Sequence, residues 1–241
     1  MFTNNKLTLI WDCMASNQAV TSVGKGWVVV LWAMIAAVTS GCSLVDQVEY
    51  TSEHAVISLG PDDLENYGIG FLTPSAATGR EADKQALAMS FSLELQEMRP
   101  DVKVLSLPYV LNAMNAADLD TEYKQMYRDY LETGILEGSI LKRISDVAGV
   151  RYFAQLSLSG FRQTSSGRLS LLGLRISHTE VANLRVFVQI WDAQNAEIAW
   201  EGLTELSYAY DTGREKAVSF SDISKMAAEK LFSELPGINK K

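Results

Sequence analysis

The chain has 241 residues, of which 47% are hydrophobic and 21% charged, and its formal net charge is −8. This length suits a single domain with a substantial buried core. The acidic balance, together with the lack of a basic stripe with interleaved aromatic residues, excludes a nucleic-acid-binding role. The two cysteines, Cys13 and Cys42, are too few for a disulfide framework or a cysteine-based metal site.

An export signal is predicted over residues 1–41. The basic residue Lys25 precedes the apolar stretch 27–38, and the small residues 39–41 follow it. This order is typical of a secretory signal peptide. Residues 27–40 number only 14, whereas a membrane-spanning helix needs about 20. Two alternatives remain: an ordinary signal that leaves an unmodified cysteine, and an anchor that is never cleaved.

The residue after the predicted cleavage point is Cys42, and the residues before it resemble the lipobox of bacterial lipoproteins. Thr39 departs from that pattern, because leucine is commonest at its position. The resemblance implies a thioether-linked diacylglycerol on Cys42 and usually an acylated amino terminus. Ser43 stands where an aspartate retains lipoproteins in the inner membrane of enteric bacteria, which favours the periplasmic face of the outer membrane. Met14 is an alternative initiator to Met1.

Behind the signal, residues 42–55 are predicted to be a lipidated polar leader, residues 56–236 a single periplasmic domain and residues 237–241 a tail. Short strands are predicted at residues 56–59, 67–72 and 102–105. Helices are predicted at residues 80–98, 109–115, 120–131 and 137–148. The first helix carries Leu87, Phe91 and Leu95 on one face, which is the spacing of a helix packed on a core.

The last third of the chain has period-two patterning. Residues 152–159 and 184–191 alternate in the way that half-buried strands do. A turn at residues 192–196 and a return strand at residues 198–210 complete a β-hairpin.

A final helix is predicted over residues 220–235, with Ser219 or Ser221 as its cap. Helices alternate with strands early in the chain and an antiparallel meander comes late. The fold class is therefore predicted to be α/β (α+β): a single mixed sheet with antiparallel C-terminal strands and helices packed on it.

Two segments carry a family resemblance. Residues 148–161 run from a helix end, through a glycine, into a strand, and residues 186–193 with residues 197–201 read strand, Asp-Ala, turn, Glu-Ile, strand. These motifs resemble the periplasmic lipoprotein domain of the curli-secretion-channel superfamily, which includes activators of penicillin-binding proteins and the amino-terminal domain of the Tol translocation protein. The resemblance covers about residues 67–235 and implies a fold used for protein contacts.

Three polar or glycine-rich segments are predicted to be structural. Gly68 and Gly70 follow the spacing of a dinucleotide-binding loop, but the third glycine is missing. Residues 73–80 lead into a helix amino terminus, which is a natural anion site, but they lack the ending of a phosphate-binding loop. Asp62 and Asp63 lie in a turn, where carboxylates cap backbone donors.

The two histidines, His54 and His178, are predicted to lie in solvated loops. Neither belongs to a zinc-binding His-Glu-x-x-His pattern, and no Gly-x-Ser-x-Gly motif accompanies them. No catalytic, cofactor-binding or metal-ligating residue is predicted, and the chain is expected not to be an enzyme.

Residues 164–183 are predicted to connect two strands over about twenty residues, which is longer than a hairpin needs. Long connections in compact domains are often functional. This one contains Leu169, Leu171, Leu172, Leu174 and Ile176. It is expected to pack on its own domain or on a partner, and a membrane-inserting or oligomer-forming hairpin is the alternative.

The sequence therefore predicts a lipid-anchored periplasmic envelope protein that acts as a non-enzymatic binding or assembly factor. Its expected partners are the membrane, through the lipid on Cys42, and another envelope protein, with a homo-oligomer as a further possibility. A ring-forming secretion accessory related to the curli channel is the first alternative, and an envelope hydrolase is the second.

Overall fold

The computed structural model describes residues 47–77, 79–171, 174–211 and 218–237. Within these residues a seven-stranded sheet is flanked by six helices. The strands are β1 (Gln47–Val56), β2 (Ile69–Phe71), β3 (Ser75–Ala76), β4 (Val104–Leu105), β5 (Tyr152–Leu171), β6 (Leu174–Asp192) and β7 (Glu197–Asp211). The helices are α1 (Asp63–Tyr67), α2 (Glu81–Met98), α3 (Leu107–Ala116), α4 (Asp120–Thr133), α5 (Gly138–Ala148) and α6 (Phe220–Phe232).

The sheet is mixed, as the sequence predicted. Its strand order is β1-β7-β6-β5-β2-β4, and β3 pairs with β5 beside β2. The pairs β1–β7, β7–β6 and β6–β5 are antiparallel, whereas β2–β5, β2–β4 and β3–β5 are parallel. The fold class of a single mixed sheet with antiparallel C-terminal strands and packed helices is confirmed.

Each face of the sheet has its own core. Side chains of successive strand residues point to opposite faces, and Phe153 and Ala154 accordingly belong to different hydrophobic clusters. The cluster on one face joins the sheet to α2 and α6, where Phe91 and Phe232 meet edge to face at 5.5 Å between ring centroids. The cluster on the other face joins the sheet to α3, α4 and α5 and includes Trp191.

Several helix boundaries follow from local chemistry. Helix α6 begins with a capping box, in which the Ser219 side chain accepts from the Asp222 N–H and the Asp222 carboxylate accepts from the Ser219 N–H. Ser219, and not Ser221, is therefore the cap. Helices α4 and α5 both end at a glycine in the left-handed conformation, Gly134 and Gly149.

The predicted polar leader is wrong over most of its length. Residues 47–55 form β1 together with Val56, and β1 pairs along ten residues with β7. Of the predicted strand at residues 56–59, only Val56 belongs to a strand, as the last residue of β1. Residues 42–46, which include Cys42, and the predicted signal lie outside the described residues, as do residues 238–241 of the predicted tail.

The predicted connection at residues 164–183 is also wrong. Strands β5 and β6 continue through it and pair from Thr164↔Val181 as far as Leu171↔Leu174. The two strands therefore form one long hairpin. Insertion of this hairpin into a membrane, or oligomer formation through it, stays a prediction. Register shifts occur at Leu158/Gly160 and twice between Gly167 and Ser170.

Candidate functional site

The hairpin of β5 and β6 projects beyond the rest of the described sheet. The last residue of β7, Asp211, pairs with Thr179, which in turn pairs with Ser166. Beyond that row, residues 167–171 and 174–178 pair only with each other among the described residues. We call these two segments the arm. Its residues include the four described members of the apolar stretch that the sequence singled out.

Strand β1 begins at the same end of the sheet from which the arm projects. Its first residue, Gln47, pairs with Ala209 of β7. Ala209 pairs in turn with Val181 of β6, and Val181 pairs with Thr164 of β5, so these four residues form one row across the sheet. The turn between β6 and β7 lies at the opposite end. The predicted lipid-attachment residue, Cys42, lies outside the described residues and precedes β1 by five positions. The chain segment nearest to Cys42 in sequence and the arm therefore share one end of the sheet.

Strand β1 is also an edge of the described sheet, because β7 is its neighbour on one side and no described strand lies on the other. An edge strand presents unpaired N–H and C=O groups, and proteins commonly blunt it with lysine, proline or a bulge. The ten-residue register of β1 is unbroken, and the strand contains no proline or lysine. This edge is therefore open to pairing with another extended segment.

A cluster of polar side chains fastens β1 to the end of α6. Ser52 Oγ donates to Glu234 Oε2 at 2.8 Å, His54 Nδ1 lies 3.0 Å from the same oxygen, and Lys230 Nζ donates to Glu234 Oε1 at 2.7 Å. Burial raises the pKa of Glu234, but hydrogen bonds from Lys230, Ser52 and His54 outweigh it and hold that pKa below its ordinary value. The His54 ring also stacks on Trp200, 6.4 Å between centroids.

These contacts correct the expectation for the histidines. His54 lies on β1 and not in a loop, and it is bound by a carboxylate. The Ser52 hydroxyl donates to the same Glu234 carboxylate that His54 contacts. The cluster therefore positions a strand. His178 lies on β6, within the arm, and not in a loop.

Near the arm, none of the described helices covers one face of the sheet. On β6 the residues of one face, Leu184 and Val186, are buried, whereas Asn183 and Arg185 of the other face are exposed. A groove of about 550 Å³ lies on this uncovered face and crosses β5, β6, β7 and β1. Two of its lining residues, Arg185 and Glu205, form an ion pair with Nε 3.0 Å from Oε1.

A second groove, of about 660 Å³, lies between α2 and α3. Met89 and Leu93, which are 65% and 49% exposed, form its outer ridge on α2. Leu107 and Leu111 of α3 line the other side. None of the residues that line it carries a charge, and these four side chains make the groove largely apolar, with amide and hydroxyl groups also in its lining.

The glycine pair has a packing role. A Cβ at Gly70 would lie 2.9 Å from Phe153 Cε1 and 3.0 Å from Val110 Cγ2. Gly68 has a φ of 69° and ends α1. The two glycines therefore bring β2 close to α3 and to β5, as a structural role requires.

The loop that leads into α2 is held by side chains and by its own ion pair. Thr73 N–H donates to Tyr123 Oη at 2.9 Å, and that hydroxyl donates to Thr73 Oγ1 at 2.8 Å. Burial raises the pKa of Tyr123 to about 12, so its hydroxyl stays protonated. Arg80 binds both carboxylate oxygens of Asp83, a first-turn residue of α2, at 2.9 and 2.6 Å. The Asp83 carboxylate therefore occupies the amino terminus of α2, where the sequence offered an anion site.

The turn acid Asp63 accepts from the Gly60 N–H at 2.7 Å, which is the capping role predicted for it. In the described part of the chain, no group of three or more histidine, cysteine, aspartate or glutamate residues is placed to hold a metal ion. No helix among the described residues is both long and apolar enough to cross a membrane.

The fold and these surfaces define a mixed α/β domain with a projecting hairpin and an open edge strand. No protein-family model and no curated protein sequence matches the chain. Among solved structures it is similar to the PelC dodecamer from Paraburkholderia phytofirmans, with 10% identity, a TM-score of 0.46, and coverage of 80% of this chain and 100% of that one.

It is also similar to the lipoprotein GNA1162 from Neisseria meningitidis, with 12% identity, a TM-score of 0.35, and coverage of 62% of this chain and 86% of that one. Because both TM-scores are below 0.5, neither similarity carries an argument about function.

Proposed function

We propose that this chain is a lipid-anchored protein of the bacterial envelope that binds or assembles other envelope proteins and catalyses no reaction. The anchor is the diacylglycerol on Cys42, and the site of action is the periplasmic face of the outer membrane. The sequence before Cys42 supports this location, since a basic residue, a short apolar stretch and small residues precede the cysteine.

The arm is the single observation that favours a binding role. A two-stranded hairpin is only marginally stable in water without a third strand or a packed face, and the arm has no other described strand beside it. A segment of this kind gains stability when another surface covers it. The open edge of β1 offers a second place where backbone groups can pair.

The anchor is tested by metabolic labelling with palmitate. The wild-type protein and a Cys13→Ala variant are expected to take up label, whereas Cys42→Ala is expected to take up none. Intact-mass measurement of the purified native protein gives the second readout. A mature protein that keeps residues 27–41, or one with a free thiol at its first residue, would contradict the proposal.

The binding role is tested by crosslinking in the native envelope. Leu171→Asp with Leu174→Asp places two charges in the arm, and Val147→Asp places one on an exposed position of α5 as a matched control. We expect the arm variant to lose crosslinked neighbours that the control retains. Identical crosslinking patterns for the two variants would remove the arm from the binding surface.

The second candidate function is a ring-forming secretion accessory, and the unbroken edge of β1 favours it because neighbouring copies could pair there. Light scattering of the detergent-extracted protein after size exclusion decides between the two. A higher oligomer is expected if the ring forms, and a monomer excludes it.

A further inference from the structure

We infer that the arm contacts an anionic phospholipid surface, so that the domain meets the membrane at a second point besides its lipid. This inference rests on the proposed anchor at Cys42. It adds an orientation: the end of the sheet that carries the arm faces the membrane, and the turn between β6 and β7 faces away from it.

Strand register places the arm on the side of the anchor. The first residue of β1 lies in the same row as Thr164. From that row, Leu171 is seven residues farther along β5, which is about 23 Å at the rise of a β-strand. The arm therefore extends well past the start of β1.

Covalent geometry limits how far the anchor can lie from the same row. Cys42 precedes Gln47 by five positions, and five residues span at most about 18 Å when fully extended. A domain held by so short a tether keeps the end of its sheet near the lipid surface, and the arm projects from that same end.

The composition of the arm suits that surface. The arm contains Arg168 and Arg175 and no aspartate or glutamate, although the whole chain has a formal net charge of −8. The arm also carries Leu169, Leu171, Leu174 and Ile176. Arginine near an anionic headgroup layer contributes favourably, and apolar side chains gain by entering the boundary between headgroups and acyl chains.

The length of the arm sets the depth of contact. Each of its two segments has five residues, whereas a strand that spans a membrane needs about 9–11. The arm is therefore long enough to enter the headgroup layer and too short to cross the bilayer.

The test uses the acylated full-length protein, extracted from membranes and reconstituted in vesicles. A Ser170→Cys variant carries an environment-sensitive dye on the arm, and a Gln194→Cys variant carries the same dye on the exposed turn at the opposite end of the sheet. The vesicles contain phosphatidylethanolamine with phosphatidylglycerol, or phosphatidylcholine alone, and a quencher on the lipid tails.

We expect strong quenching at position 170 and little at position 194, with more quenching at 170 in the anionic vesicles. Replacing both arm arginines, Arg168→Gln with Arg175→Gln, is expected to lower the ratio of lipid-contacting to free arms by roughly 30-fold, at about fivefold for each charge. Equal quenching at the two positions would overturn the inference. If the dye at position 170 is not quenched by the lipid quencher and crosslinks instead to a second copy of the protein, the inference is overturned as well.

Intact mass of the same sample separates this inference from the proposed function. A sample without acyl groups whose dye at 170 is still quenched by added vesicles would remove the anchor and keep the arm as a lipid-binding element. An acylated sample whose two dyes respond alike would keep the anchor and remove the arm.

Discussion

Arg151 and Asp192 form a bidentate ion pair that ties the start of β5 to the end of β6. Arg151 Nε donates to Asp192 Oδ1 at 2.8 Å, and Nη2 donates to Oδ2 at 2.6 Å. The buried carboxylate also accepts from the Gln194 N–H at 2.9 Å and from Asn195 Nδ2 at 3.0 Å. Because Asp192 leads directly into the turn before β7, this ion pair helps to set the turn from which the return strand starts.

Asp192→Asn should destabilise the domain by about 2–3 kcal/mol, because it leaves the Arg151 guanidinium without its charge partner and puts an amide donor against other donors. The free energy of unfolding in urea is the measurement. Glu205→Gln breaks an arginine–carboxylate pair whose side chains are 55% and 51% exposed, and it should cost less than about 1 kcal/mol. Equal losses for the two variants would contradict the assigned role of Asp192.

The stability contributed by Asp192 should depend on pH. Burial raises the pKa of Asp192, but the hydrogen bonds from Arg151 and the Gln194 backbone outweigh it and leave that pKa below its ordinary value. The contribution is therefore full above the unfolded-state pKa, at about 4, and is lost as the pH falls through the folded-state pKa. The urea concentration at the midpoint of unfolding should decrease as the pH is lowered from 7, and it should decrease less steeply in Asp192→Asn than in the wild type. Parallel curves would argue against this linkage.

Gly70→Ala should destabilise the domain by about 1–3 kcal/mol, because the new methyl group would overpack the contact between β2, Val110 and Phe153. Gly160→Ala is the matched control, since a Cβ there meets nothing within 4 Å. Thermal unfolding of both variants is the measurement. If Gly70→Ala is as stable as the control, close packing is not the reason for the glycine.

Glu234→Gln should loosen β1 from α6, because it weakens the hydrogen bonds that Ser52 and His54 make to this side chain. A loss of about 1–2 kcal/mol in local stability corresponds to amide exchange in β1 that is about 5–30 times faster. Hydrogen exchange followed by mass spectrometry is the measurement. The exposed neighbour Glu229→Gln is the control, and unchanged exchange relative to it would refute the fastening role.

Ser219→Ala should cost about 1 kcal/mol, because it removes the acceptor for the Asp222 N–H in the capping box of α6. Ser219→Asn keeps a capping oxygen and should stay close to the wild type. Chemical denaturation compares the two. A loss of the same size in both variants would mean that the hydroxyl does not act as the cap.

Periodicity predicted the elements that are packed on one face. The stripe of Leu87, Phe91 and Leu95 marked α2, and all three residues are fully buried against the sheet. The alternation along β6 and β7 predicted their hairpin with the turn at the right place. In these elements the burial pattern and the local structure follow from the same side chains, so the sequence alone is sufficient.

Two parts of the sheet, β1 and the arm, were not predicted as strands. Both lie where pairing with a distant segment decides the structure. Strand β1 has an alternating pattern: Val48, Tyr50 and Ser52 lie toward α6 and the residues after it, and Glu49 and Thr51 are exposed. Its polarity and its place behind the lipobox nevertheless suggested a leader, and only the partner strand β7, over 140 residues later, makes it a strand. The arm continues β5 and β6 past their buried part, where serines, glycines and leucines follow no clean period.

The candidate surfaces were predicted unevenly. The apolar residues of the arm stand out in the sequence, but their place at the end of the sheet where β1 begins follows only from strand register. The pairing of Ser52 and His54 with Glu234 was not predictable, since about 180 residues separate the partners.

The pairing of β1 with β7 also constrains the order in which the chain can fold. Val56 lies opposite Trp200, so the first strand finds its place only after nearly the whole chain is available. Contacts of such long sequence separation form slowly, because a large loop must close before they form. When the chain is synthesised from its amino terminus, β1 therefore stays unpaired until β7 has been made.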